Sequence, residues 1–454
     1  MGAPHPNTPG IPLWHLHGIR TPLMHDLSKA SATGPLNCRK QRKGTVMSRF
    51  DKFFQMTVDD VVEYTLEKTS DQIDWDKDSM HALVPPEHGN LNYVYRVWDD
   101  AGHSIYVKQA CLELRISKDL KATTDRNRLE AEILQFEDEL CPGSVPKIYF
   151  YDTVMCASGM EDCSDYEVMR NAMLKHETFP QFADDISTFM ADTLLLSSDV
   201  VMDHLEKKER VRQFISPSLC DITEKLVLME PYNDAAHRNN VFPPNAEFVE
   251  KELYKDQALH LEVAKLKFKF MTDAQSLTQG DLHTGSIFVK KDATKVFDSE
   301  FGTYMPAGYD TGNLIANLIF AYDNGLSTND TAFCDWCLST IEKSMDLFIE
   351  KFSKKFDECA TEPMAKVPGF KEWYLDGILD DTAGYAGTEL HRRTVGMANV
   401  VDVTSIADEK KRLLAERINI LAGKDYILHR SQFRTGADFV AAVKRAREAA
   451  DATL

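Results

Sequence analysis

Two short apolar runs, Ile287-Phe288-Val289 and Val296-Phe297, flank a polar turn from Lys290 to Thr294, and this pattern constrains the fold more than any other part of the chain. It predicts a β-hairpin inside a stretch that otherwise reads as helix. With the turn centred near Asp292-Ala293, Asp298 falls beside Ser286 and Ile287 at the open end. Asp281 lies just outside that end, on the loop Gln279-Gly280-Asp281-Leu282-His283-Thr284-Gly285. Three carboxylates, Asp281, Asp298 and Glu300, are therefore expected to converge. The plain alternative is an acidic hairpin facing solvent, but Val296, Phe297 and Phe301 would bury the same segment.

Carboxylates brought together repel one another and need a cation between them. Mg2+ prefers oxygen ligands and brings nucleotide phosphates with it. Phosphoryl transfer needs one more carboxylate, to orient the attacking hydroxyl and take its proton. Asp281 fits that base, and Asp298 with Glu300 fits the metal pair. Upstream, Gly89-Asn90-Leu91-Asn92 enters a strand, where a glycine turn lets backbone amides approach phosphate oxygens. Lys108 lies on the next strand between buried-looking neighbours, and Glu130 on the following helix is its candidate partner. Taken alone, Lys108 could equally be an edge lysine. The order Gly turn, strand Lys, helix Glu, loop Asp, metal Asp is that of protein-kinase-like phosphotransferases.

The surrounding texture agrees with an α+β fold. A helical pattern with Val61, Val62, Tyr64 and Leu66 precedes strands at 92–97 and 104–108, joined by a turn at Asp99-Asp100-Ala101-Gly102. A helix is expected from Thr124 to Leu140, then strands at 147–150 and around Val154-Met155. After Glu161 the chain reads as mainly helical. The expected organisation is a leader over 1–46, a β-rich nucleotide-binding lobe over 47–160 and a helical catalytic and substrate lobe over 161–454.

Composition narrows the partners. A net charge of −19 argues against nucleic acid or an anionic membrane, which need clustered positive charge. No apolar run is long enough to cross a bilayer. Cys334 and Cys337 form one CxxC without a second pair, and read as reduced thiols on a packed helix rather than a zinc site. The first 46 residues are rich in Pro, Gly, Ser and Thr, and carry six Lys or Arg (Arg20, Lys29, Arg39, Lys40, Arg42, Lys43) against Asp26. An organelle transit peptide, a disordered tail, and an upstream start with Met47 as the true first residue are all open readings; a cytoplasmic protein is the default, with import the alternative.

From about Asp71 onward the chain resembles the 5-methylthioribose kinases, within the aminoglycoside and choline kinase group. The segments that carry this are Gly89 to Val94, Val107-Lys108-Gln109-Ala110, Met160-Glu161-Asp162, Gly280 to Ser286, Asp298-Ser299-Glu300-Phe301, Gly308-Tyr309-Asp310-Thr311-Gly312 and Glu389 to Gly396. The resemblance implies a two-lobed protein-kinase-like fold and ATP with Mg2+. It implies transfer of the γ-phosphate to the sugar's C1 hydroxyl, in methionine salvage, by a homodimer. It also implies that Gly89, Asn90, Asn92, Lys108 and Glu130 serve the nucleotide phosphates, and that Glu161, Asp162 and Cys163 form the hinge at the adenine. Asp281 then positions the sugar hydroxyl, Asp298 and Glu300 hold the metal, and Arg392 and Arg393 meet the sugar and the developing charge. Asp310 is expected to brace the loop by hydrogen bonding to its backbone, and His283 to brace rather than react.

Four positions depart from the family pattern: Gln279 for histidine, Glu87-His88 for Gly-Asp, Ser299 for proline, and Leu120-Lys121 for a Trp-Pro segment that closes over the substrate. They leave two alternatives: a kinase of the same fold for another small alcohol or sugar, and a pseudokinase that only binds.

Overall fold

Strict alternation builds the small sheet. Strands β1 (His81–Leu83), β2 (Tyr93–Trp98), β3 (Ser104–Gln109), β4 (Ile148–Asp152) and β5 (Ala157–Glu161) pair antiparallel in the spatial order β1-β2-β3-β5-β4. Side chains two apart share a face. Tyr95, Val97, Ile105 and Val107 therefore point together into a cluster closed by Val61 and Tyr64 of helix α1 (Val58–Thr69). A capping box starts α1: Thr57 Oγ1 accepts from the Asp60 N–H, and the Asp60 carboxylate accepts from the Thr57 N–H. The same alternation puts Val94, Tyr106 and Lys108 on the opposite face, with Val94 directly across from Lys108.

The computed structural model describes residues 48–85, 92–111, 113–114, 117–121 and 124–454, with backbone only at 113–114 and 117–121. Arg49–Leu454 is one compact unit. The leader, Gly89, Asn90 and the Glu87-His88 departure lie outside the described residues, as do the side chains of Leu120 and Lys121.

Helix α2 (Asp125–Leu140) packs Leu129, Ile133 and Phe136 against Phe214, Leu277 and Tyr304. The strand expected at Val154-Met155 is instead a turn, and the strand begins at Ala157. The cause is local. Asp152 Oδ1 accepts from the N–H groups of Val154 (2.8 Å) and Met155 (3.1 Å), and Cys156 turns left-handed at φ 48°. Met155 is buried under the sheet as part of that turn.

The larger part is helical: α3 (Phe182–Leu196), α4 (Gln257–Thr272), α5 (Gly308–Thr328), α6 (Thr331–Cys359), α7 (Phe370–Val395), α8 (Glu409–Leu428) and α9 (Gly436–Asp451), with shorter helices between. Ile341, Phe348 and Phe352 of α6 meet Phe320 and Tyr426 in its core. Cys334 and Cys337 are buried free thiols on α6. No helix among the described residues is long and apolar enough to cross a membrane.

Short strands interrupt the helices: β6 (Glu167–Val168), β7 (Ser276–Thr278), β8 (Ile287–Lys290), β9 (Ala293–Val296) and β10 (Thr303–Met305). The expected hairpin is β8–β9, extended by β6 on its other side, while β7 pairs with β10. Ile287 pairs with Val296 and Lys290 with Ala293, so the turn is Lys291-Asp292, one residue earlier than the pattern predicted. Burying Ile287, Val289 and Val296 on one face sets this register. Phe297 rather than Asp298 then bonds Ser286, N–H to O at 3.0 Å. Asp298 leaves the ladder at φ 64°.

Helices α5 and α7 cross at glycines. A Cβ on Gly308 would lie 2.4 Å from the Thr382 N, and one on Gly312 2.6 Å from the Ala386 N. This close approach sets the first turn of α5 against the middle of α7. Gly312→Ala is expected to lower stability by about 1–3 kcal/mol through overpacking, measured by urea denaturation; an unchanged midpoint would show that the crossing tolerates a methyl group.

Candidate active site

A cleft of about 770 Å³ opens between the sheet and the hairpin, with Val94, Tyr106 and Met160 on one side and Phe288 and Phe297 on the other. The two phenylalanine rings stack at 3.8 Å between centroids and form an apolar floor. Lys108, Glu130 and Asp298 line its polar end, and Glu161 and Cys163 its edge.

Lys108 Nζ donates to Glu130 Oε1 and to Asp298 Oδ1, each at 2.7 Å. Burial alone would favour the neutral amine, but Asp298 and Glu130 hold it firmly protonated. Glu300 is 5% exposed, and Arg126 Nε stands 3.7 Å from its Oε2, beyond hydrogen-bond reach. That oxygen has no hydrogen-bond partner. Burial first, and then the charge of Asp298, push the Glu300 carboxyl up to about 8. Burial likewise raises Glu130. Three carboxylates thus share two cations, and Glu300 holds a proton where a third cation would stand.

On the other side, Gly280 takes φ 84°, and a Cβ there would sit 2.3 Å from the Phe301 carbonyl oxygen. Asp310 accepts from the N–H groups of Gln279 (2.7 Å) and Gly280 (3.0 Å), the bracing expected of it. Gln279 Nε2 donates to the carbonyls of Phe297 (2.9 Å) and Asp298 (3.1 Å), which ties the Asp281 loop to the Asp298 loop.

Asp281 itself meets Arg392 Nη2 at 2.9 Å, Arg393 Nη2 at 3.8 Å and His283 Nε2 at 3.2 Å. Burial would raise its carboxyl, but these three neighbours hold it well below the usual range. Glu389, one turn earlier on α7, accepts from Arg392 Nε and, at 3.0 Å, from Arg393 Nε. Burial is again outweighed, and Arg392 and Arg393 keep Glu389 ionised.

The expected residues are thus split. Asp298 and Glu300 gather with Lys108 and Glu130, whereas Asp281 belongs to a second cluster with the arginines. Among the described residues no group of three His, Cys, Asp or Glu side chains is arranged to hold a metal by itself. Asn92 is buried and accepts from Arg126 Nη2 at 2.9 Å, rather than lining the cleft. Asp162 is turned to Arg96 Nε at 2.7 Å and is also absent from the lining. Glu161 accepts from Lys295 Nζ at 2.8 Å, and burial pushes the Cys163 thiol up to about 12. Sequence reasoning missed Arg126, Glu137, and the buried pair Arg170 and Asp402, whose Nε and Oδ2 stand 3.6 Å apart beside the Asp281 cluster. It also assigned no role to Glu389, although its spacing of three and four from the arginines was a readable signal.

A strand lysine paired to a helix glutamate, a carboxylate facing that lysine, and an aspartate on a Gly-Asp loop define a phosphotransferase of the protein-kinase-like class. No family model matches the chain. It is 38% identical to the methylthioribose kinase of Erwinia tasmaniensis, over 75% of this chain and 86% of that protein. It is 36% identical to that of Geobacillus kaustophilus, over 77% and 88%, and 34% identical to that of Yersinia enterocolitica, over 88% and 100%. The chain belongs to the methylthioribose kinase family. Among solved structures it is similar to a Plasmodium vivax ethanolamine kinase (TM-score 0.42, 13% identity, covering 90% of this chain and 95% of that one). A Cryptosporidium parvum choline kinase gives TM-score 0.42 at 10% identity, covering 86% and 96%.

Glu137, seven residues after Glu130 on α2, accepts from Ser299 Oγ at 3.2 Å. Burial, and then Asp310 nearby, push its carboxyl from 4.5 to about 8. The folded state therefore holds a proton that the unfolded chain releases, so this contribution is full at low pH and is lost as pH rises from about 4.5 to about 8. Glu137→Gln is expected to gain stability on the wild type steadily across that window. Denaturation series at several pH values check this, and parallel curves would remove Glu137 as the cause.

Proposed function

We propose that the chain transfers the γ-phosphoryl group of ATP to the C1 hydroxyl of 5-methylthioribose, a step of methionine salvage. The observation that carries this is the Asp281 loop, tied to the Asp298 loop through Gln279, in a chain 34–38% identical to methylthioribose kinases. Adenosine occupies the cleft, with its base over Phe288 and Phe297 and beside the Glu161–Cys163 edge, and the phosphates reach Lys108. Gly89 and Asn90 serve the phosphates in this reading, whereas Asn92 is taken up by Arg126. Residues 47–160 then serve as the nucleotide lobe and 161–454 as the catalytic lobe. A homodimer in the cytoplasm belongs to the same reading.

Asp298 and Glu300 suit a divalent ion, Mg2+ by preference: both are hard oxygen donors, Glu300 Oε2 lacks a hydrogen bond, and a cation there would replace the proton that Glu300 holds. Such an ion, when bound, neutralises charge on the phosphates. In protein kinases an asparagine five residues after the catalytic aspartate ligates metal. Ser286 stands at that spacing here, and its Oγ lies 3.1 Å from His283 Nδ1, which leaves Glu300 as the second ligand.

Asp281 is ionised and accepts a hydrogen bond from the acceptor hydroxyl, fixing its oxygen in line with the γ-phosphorus. The proton need move only late, because the transition state is loose; a weakly basic carboxylate therefore suffices. Arg393 supplies positive charge where the transferring group gains negative charge, and Arg392 stands on the sugar's side of Asp281.

A coupled ADP-release assay should give turnover with 5-methylthioribose and not with ribose, choline or an aminoglycoside. Turnover with another acceptor would replace the substrate, and loss of nucleotide binding would point to a pseudokinase. Asp281→Asn is expected to lower kcat by about 10²–10⁴-fold with ATP affinity nearly intact. Asp298→Asn should weaken magnesium–ATP binding, and unchanged affinity by calorimetry would remove it as a metal ligand.

A further inference from the structure

Both oxygens of the Asp281 carboxylate are already engaged. Oδ2 faces His283 Nε2 at 3.2 Å, and His283 Nδ1 in turn bonds Ser286 Oγ at 3.1 Å. This fits a neutral ring that donates to Asp281 and accepts from the serine, so the imidazole is a fixed partner. Oδ1 accepts from Arg392 Nη2 at 2.9 Å. Arg392 has a second anchor: its Nε bonds Glu389 Oε2, and its Nη2 also lies 3.3 Å from Glu389 Oε1. Glu389 and Arg392 share a helix, one turn apart, so that contact persists whatever happens in the site. The contact Arg392 can give up is the one to Asp281.

An acceptor hydroxyl needs that oxygen, and so does a water molecule. Water placed on Asp281 Oδ1 would attack the γ-phosphorus. The bond from phosphorus to the β,γ-bridging oxygen would break, a bond to the water oxygen would form, and the water proton would pass through Asp281 to solvent, giving ADP and inorganic phosphate. Resting on the function read above, we propose that Arg392 sets the choice between sugar and water: it covers Oδ1 until an acceptor displaces it. A lone water brings few contacts to offset a charge-assisted hydrogen bond. A sugar with several hydroxyls brings more, and Arg392 falls back onto Glu389 when it binds.

The test is ADP release by the purified full chain with magnesium and ATP, without acceptor and with 5-methylthioribose, alongside thermal melts. Arg392→Met should raise acceptor-free ADP release by about tenfold, the worth of one such hydrogen bond, while acceptor-dependent turnover falls. Arg392→Lys, which keeps charge but cannot bridge both carboxylates, should rise less and decides the matter if the methionine variant does not fold. Glu389→Gln removes the competing anchor and should act the opposite way, with a higher KM for the acceptor and no rise in acceptor-free release. A merely structural role lowers both rates in every variant. Folded Arg392 variants whose acceptor-free release stays at or below the wild-type rate would overturn the proposal. Failure of the wild type to phosphorylate 5-methylthioribose would instead overturn the substrate, because acceptor-free release is read without any acceptor.

Discussion

One ammonium group holds the polar end of the cleft together. Lys108 reaches from the sheet to Glu130 on α2 and to Asp298 at the end of the hairpin, each at 2.7 Å. Three elements far apart in sequence therefore meet at one charge that is largely buried on its Glu130 side. Such a group is costly to bury unless it is fully paired, and removing one partner of a buried pair typically costs about 3–5 kcal/mol. Lys108 is thus a cross-link between sheet, helix and hairpin, and its loss would loosen the cleft as well as empty it of charge.

The Asp281 side depends on steric closeness rather than on a single charge. The glycines of α5 let its backbone lie against α7, so the first turn of α5 and the last turns of α7 flank the same loop. Asp310 then sits beneath the Gln279-Gly280 amides, while Glu389 aims both arginines at Asp281. Gln279 joins this assembly to the Asp298 loop through two carbonyls. The two halves of the site are positioned by different physics and coupled through one amide side chain.

The parts of this that were legible in the sequence are those carried by local pattern. Period two in β2 and β3 gave the sheet and put Lys108 on the face away from Ile105 and Val107. The Gly-Asp loop and its hairpin stood out because apolar runs flank a polar turn. What stayed hidden depends on distant partners or on side chains competing with backbone. Asp152 captures two amide groups and turns an apolar pair into a bend. Asn92 and Asp162 look like open polar residues until Arg126 and Arg96 claim them across 34 and 66 residues. The strands Glu167–Val168, Ser276–Thr278 and Thr303–Met305 are too short for alternation to register. Arg170 had no local signal, because its partners Asn317 and Asp402 lie on other helices.

Charge counting separates what each half can receive. Around Lys108 the carboxylates of Glu130, Asp298 and Glu300 face two cations, Lys108 and Arg126, and Glu300 carries the strain as a raised pKa. A divalent ion would take the place of the proton on Glu300, and it would also screen the phosphates it arrived with. Around Asp281 the count closes: Asp281, Glu389 and Asp402 face Arg392, Arg393 and Arg170. A cationic acceptor would find no uncompensated carboxylate there, and an anionic one no uncompensated guanidinium. A neutral polyol can exchange hydrogen bonds with this set without leaving a buried charge unpaired. The asymmetry of the two clusters therefore favours a metal-bound nucleotide on one side and an uncharged sugar on the other.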